Sequence, residues 1–267
     1  MIIPFSRKSR PGEGPAPIVY SWRHLICNPD GKYDTNHMNY NRENEITAEY
    51  TSFINARDFP CVAARAAFAR QNVKCLLVDH MACPKDDLDI LNFLYGFIDD
   101  YRKSGELFHS ASIIFEGPTD IDEQLFDTLL WQRLQALSNL DGQRYDYDKR
   151  VNPDPASPSF SFSLKQEAFF IIGLHPASSR PGRKFKYPAL AFNPHAQFEE
   201  LRETNRYEKM KNIVRKRDLE FAGSVNPMLV DYGHSSEAFQ YSGQVYDSSW
   251  QCPFKLKHES IENNSTP

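Results

Sequence analysis

Between positions 168 and 202 the sequence AFFIIGLHPASSRPGRKFKYPALAFNPHAQFEELR gathers most of the residue types in this chain that can do chemistry. One apolar run ends at Gly173-Leu174 and hands on to His175-Pro176. A second ends at Phe192 and hands on to Asn193-Pro194-His195. Read as buried strands, each delivers a histidine at its C-terminal end, where open α/β sheets place their ligands. Between them lie Ser178, Ser179, Arg180, Arg183 and Lys184, hydroxyl and cationic groups suited to carboxylate or phosphate. The bland alternatives are a satisfied loop histidine for each imidazole and a solvated turn for the cations. Cys61, in Phe59-Pro60-Cys61, begins a predicted helix, whose dipole favours a thiolate. Such a cysteine could ligate iron, act as a nucleophile or simply pack the helix start. Asp79-His80 and Cys83 follow another strand end and read as further candidates for the crevice.

The elements that position these residues follow from periodicity. Residues 46–57 and 62–70 read as helices, and residues 73–79 as a short buried strand. Pro84 opens a helix with acids early and bases late, as the dipole prefers, and with Leu88, Leu91, Leu94, Tyr95 and Ile98 on one face. Residues 112–115 are a second strand. Residues 120–137 form an amphipathic helix with Ile121, Leu125, Phe126, Leu129, Leu130 and Leu134 inward. A loop at 141–159 leads to strands at 169–174 and 189–192, then to one helix over about 195–217. Residues 222–258 show little periodicity and read as a coil packed on the body. That coil carries Asp231, Tyr232, His234, Glu237, Tyr241 and Trp250, and it closes the crevice or covers a sheet face. Residues 1–44 read as an arm and a long polar loop at 28–44 that could act as a lid, and 259–267 as a frayed tail. The expectation is a single α/β domain over 45–258, a sheet of four to five strands flanked by helices.

Composition narrows the function classes. The chain has 267 residues, 40% of them hydrophobic and 25% charged, with 19 Phe and 13 Tyr, enough for a real core. A net charge of −4 argues against a general nucleic-acid partner. No apolar run approaches the roughly 20 residues of a membrane helix. The N-terminal residues lack a secretory pattern, and five cysteines without a C-x-x-C pair suggest neither a disulfide framework nor a thiolate zinc site. The expected address is the cytoplasm. Dinucleotide, P-loop, nucleophile-elbow, H-E-x-x-H and EF-hand patterns do not occur in the sequence.

Four stretches, FPCVAARAAF (59–68), the segment 169–202, IVRKRDLEFAGSVNPML (213–229) and SEAFQYSG with WQCPF (236–254), together resemble the YqcI/YcgG family of bacterial proteins. The resemblance covers about residues 45–255. It implies a heme-dependent N-oxygenase or N-hydroxylase of specialised metabolism, acting on a guanidine, amine or amino-heteroaromatic nitrogen, with arginine-like or 2-aminoimidazole-like substrates. Its partners would be that small molecule and an electron donor or peroxide, with no nucleic acid and no membrane; a homodimer is compatible. Without a C-x-x-C-H motif the heme would be a non-covalent heme b. On this reading His175 is the axial iron ligand, because a rigid strand and Pro176 restrict its orientation. Ser178, Ser179, Arg180 and Arg183 would face the cofactor, with Arg180 and Arg183 holding propionates or a substrate carboxylate. His195 and Cys61 would stand near the substrate, both remaining competitors as iron ligand. His195 would be the less basic imidazole, at a helix start. A non-catalytic heme-binding sensor or carrier, or a metal-free thiol enzyme built on Cys61, is the alternative.

Overall fold

The computed structural model of the chain describes residues 18–19, 35–228 and 231–256. Its order is β1 (Ile18–Val19), α1 (Thr35–Asn55), α2 (Val62–Ala69), β2 (Val73–His80), α3 (Asp87–Ser104), β3 (Ser110–Gly117), α4 (Glu123–Asp141), β4 (Phe162–Leu164), β5 (Glu167–Leu174), β6 (Ala189–Pro194), α5 (His195–Glu203), α6 (Tyr207–Ala222) and α7 (Ala238–Tyr241). The strands form one mixed sheet in the order β1-β2-β3-β6-β5-β4. β1, β2 and β3 run parallel; β3–β6, β5–β6 and β4–β5 are antiparallel. This is the expected mixed α/β domain, five strands of three residues or more with the two-residue β1 added at one edge.

Side-chain parity splits the sheet into two faces. Leu76 and Val78 of β2, Ala111, Ile113 and Phe115 of β3, Phe169 and Ile171 of β5, and Leu190 and Phe192 of β6 join one cluster with α3, α4 and the C-terminal segment. Val73, Cys75, Ile114, Leu174 and Ala189 join the other, with Ile46, Tyr50 and Ile54 of α1 and Phe68 of α2. Each buried aromatic or aliphatic side chain contributes about 1.5–3 kcal/mol, so the larger first cluster supplies most of the apolar stabilisation. The C-terminal segment is the coil expected from sequence, interrupted only by α7. It is anchored by Tyr241, fully buried, whose hydroxyl donates to the Phe169 carbonyl (3.1 Å).

The helices follow the dipole logic. α3 carries Asp87 and Asp89 in its first turn and Arg102 and Lys103 in its last, and ends at Gly105 with φ +61°. Asp122 caps α4 by accepting the Leu125 N–H (2.7 Å).

Several expectations are corrected. Residues 35–44 are not loop but the first turns of α1, so the boundary placed at 44 falls inside a helix; 28–34 lie outside the described residues. Polar Asn-rich sequence is a weak helix former, and the burial of Ile46, Tyr50 and Ile54 overrides it. The single helix expected over 195–217 breaks at 204–206, where Asn205 takes φ +58° and the Arg206 N–H bonds back to Leu201 O (2.9 Å). Leu88 and Leu125, expected inward, are 58% and 44% exposed at the first turns of their helices. β4 was missed because three residues carry too little pattern. Among the described residues, no helix is long and apolar enough to cross a membrane.

Candidate functional site

A partly open cavity of about 280 Å³ lies on the α1/α2 face of the sheet. Even-numbered residues of β5 (Phe170, Ile172, Leu174) and odd-numbered residues of β6 (Ala191, Asn193) form its floor. Tyr50 of α1 and the small side chains Ala63, Ala64 and Ala67 of α2 form one wall, with Cys61 beside them. Arg202 of α5, Tyr207 and Lys211 of α6, and Tyr232 and Glu237 of the C-terminal segment close the other. The enclosed part takes a small molecule, and a macrocycle would use the open part as well.

Cys61 is the N-cap of α2, and its Sγ accepts the Ala64 N–H at 3.4 Å. The expected dipole-lowered thiol is not found. Burial dominates and pushes its pKa up, against the backbone N–H groups of Ala64 and Ala63.

The two histidines are separated. Leu174 pairs with Ala189 and Phe169 with Pro194, so the C-terminal ends of antiparallel β5 and β6 point to opposite ends of the ladder. Five residues of strand separate those two ends, about 17 Å along the ladder, and each histidine lies one residue beyond its end. Parity also sends His175 to the face away from the cavity. A Cβ at Gly173 would meet the Phe126 ring at 2.7 Å, and two residues on His175 stacks on that same ring, centroids 4.3 Å apart. His175 is buried, and burial lowers its pKa to about 4. It therefore does not line the cavity.

The Ser/Arg loop is engaged internally. Ser178 is buried and accepts the Arg180 N–H (3.3 Å), while exposed Ser179 donates its N–H to Glu123 Oε1 (2.8 Å). Lys184 is exposed. Arg180 and Arg183 do reach the cavity wall, but both are occupied. Arg180 Nη2 pairs with Asp218 Oδ2 (2.6 Å) and donates to Ser224 O (2.8 Å). Arg183 donates to the carbonyls of Gly173, Tyr241 and Gln240 (3.3, 2.9 and 2.7 Å), tying β5 to α7. Asp79 pairs with Lys85, His80 is exposed, and neither they nor Cys83 reach the cavity.

His195, the first residue of α5, is buried behind the cavity wall. Nδ1 lies 3.4 Å from Glu237 Oε1 and Nε2 lies 3.6 Å from Glu199 Oε1, and its ring packs on Tyr232 with centroids 4.4 Å apart. Burial opposes its charge, but the two carboxylates outweigh burial and raise its pKa to about 9, the reverse of the dipole-based expectation. Arg202, Tyr207 and His109 also line the cavity, and no local signal in the sequence separates them from solvated residues. Among the described residues, no three His, Cys, Asp or Glu side chains group as a metal-ion site.

The YqcI/YcgG family matches the chain over residues 50–255, a span that takes in Cys61, the whole cavity and the C-terminal segment. The uncharacterized protein YqcI of Bacillus subtilis (strain 168) is 32% identical over 214 residues, 75% of this chain and 82% of that protein. No solved structure matches. The chain belongs to the YqcI/YcgG family.

Proposed function

We propose that the cavity binds heme b and that the protein is a heme-dependent N-oxygenase acting on a guanidine, amine or amino-heteroaromatic nitrogen. The observation that carries the reading is Cys61. It is a soft donor at a helix N-terminus, set in the wall of an apolar cavity beside three alanines that leave room against the helix. Of the three candidate iron ligands, His175 faces the other side of the sheet and His195 is enclosed by Glu199, Glu237 and Tyr232. His109 also lines the cavity, but its Nε2 lies 3.0 Å from Ser104 Oγ and is engaged there. Cys61 is therefore the side chain that would hold the iron, with the Ala64 N–H placed to steady a thiolate. The upward shift of its pKa by burial disfavours the metal-free thiol enzyme, since among the described residues only backbone N–H groups oppose that shift. Heme bound here would supply the redox centre at which dioxygen or peroxide is activated.

The chain's own groups do the rest. Phe170, Ile172 and Leu174 exclude water from the floor. Glu237 Oε1 can accept an N–H from a cationic substrate nitrogen. His195 holds that carboxylate in place and keeps a proton at Nδ1, 3.4 Å away.

Titration of the purified protein with hemin tests the reading. The expected result is a Soret band whose ferrous–CO maximum lies far to the red of a histidine-ligated heme, lost in Cys61→Ser. Absence of any Soret shift overturns it. Turnover of arginine or 2-aminoimidazole with a reductant separates the enzyme from a non-catalytic heme carrier, which would give the bands alone.

A further inference from the structure

Four cationic side chains line the cavity: Arg180, Arg183, Arg202 and Lys211. Three are engaged by partners within the protein. Arg180 is held by Asp218 and Ser224 O, and Arg183 by three carbonyls. Lys211 Nζ bonds Glu208 Oε1 (2.7 Å) and Asp231 Oδ2 (2.9 Å). Arg202 alone makes no hydrogen bond or close ion pair to a carboxylate or carbonyl among the described residues, although Glu199 on its own helix feels its charge. Its guanidinium carbon lies 4.4 Å from the Tyr207 ring centroid and 5.5 Å from that of Tyr232. Both rings belong to the same wall.

We propose that Arg202 is the carboxylate-binding group of this cavity. A guanidinium held against ring faces keeps its N–H donors in its own plane, at the edge and away from the rings. Two tyrosines thus fix the orientation of the fork while leaving its donors available. The rings also remove most of the rotamer entropy that binding would otherwise cost. One planar fork matches a carboxylate with two parallel N–H···O bonds. It falls short of a phosphate, for which this wall offers no second unpaired cation. The position accounts for a carboxylate on a ligand whose apolar body lies over Ile172 and Leu174. The inference rests on the reading of the cavity as the ligand site, and its carboxylate can come from a small organic ligand or from a heme propionate.

Two probe pairs distinguish these sources in the purified full-length protein. Benzoate against benzamide, by calorimetry, reports a small-molecule carboxylate without heme. Hemin against hemin dimethyl ester, by Soret titration, reports the propionates. In the wild type, at least one charged probe should bind about tenfold or more tighter than its neutral partner. R202Q should abolish that preference and leave the neutral probe's affinity within about twofold, which also shows that the variant is folded; R202K should keep part of the preference. A preference on benzoate alone assigns Arg202 to the substrate, and one on hemin alone assigns it to the propionate. Equal binding within both pairs, a preference that survives R202Q, or no binding by any probe overturns the proposal. The benzoate arm stands even where heme binding fails, so the two readings fail separately.

Discussion

Nδ1 of His195 lies 3.4 Å from Oε1 of Glu237, and this contact joins the first turn of α5 to the segment that closes the cavity. The imidazole also faces Glu199 on its own helix and Tyr232 on the C-terminal segment. A His pKa raised from 6.5 to about 9 on folding stabilises the protein fully below pH 6.5, and that contribution fades as pH rises through 9. The melting temperature of the wild type should therefore fall between pH 7 and about 9.5. His195→Gln should flatten that limb. It should also cost about 3 kcal/mol at neutral pH, because Glu237 is left buried without a cationic partner. An unchanged alkaline limb in the variant would show that His195 is neutral in the fold.

His175 has the opposite sign. Burial against Phe126 lowers its pKa to about 4, so it stays neutral in the fold while the unfolded chain takes up a proton near 6.5. Stability contributed by the neutral ring is lost as pH falls from 6.5 towards 4 and changes no further below that. The imidazole resonances of His175 followed by NMR should show no titration between pH 8 and about 5. A midpoint near 6.5 would place the ring in solvent.

Arg183 ties β5 to α7. Arg183→Ala removes the guanidinium donors from three buried carbonyls and should cost about 3 kcal/mol, roughly 9 °C in Tm. Gly243 has φ +88°, and a Cβ there would stand 2.7 Å from Arg183 Cδ. Gly243→Ala should therefore destabilise by about 1–3 kcal/mol, in part through backbone strain and in part through the contact with Arg183. In a double-mutant cycle the two losses should not add. Additive losses would show that they act independently.

Ala64 lines the cavity, and its backbone N–H, not its side chain, holds Cys61. Ala64→Leu should fill space without breaking a hydrogen bond, leave Tm within about 3 °C of wild type, and weaken hemin uptake at least tenfold. Unaltered uptake would place the ligand elsewhere.

The sequence by itself carried most of the elements and several of the residues that line the candidate cavity. The dipole-matched charges and apolar stripe of α3, and the apolar runs that became β2, β3, β5 and β6, are local signals. Pattern and composition suffice to read them. Cys61 at a helix start beside an alanine-rich turn was legible for the same reason. What only the tertiary structure decided was relative placement. That β5 and β6 pair antiparallel is a long-range property, and it sends His175 and His195 to opposite ends of the sheet although each follows a strand. A period of two makes the face of His175 depend on a single residue of register, which puts it on Phe126 instead of in the cavity. The charges were equally undetermined. Arg180, Arg183 and Arg202 look alike in sequence, and only the fold brings Asp218 and the α7 carbonyls to the first two and leaves the third between Tyr207 and Tyr232. Likewise the basicity of His195 came from Glu199, one turn away on its own helix, and from Glu237, 42 residues further along the chain. Hydrophobic periodicity is written into the chain, whereas the partner of a polar group is set by packing between distant segments.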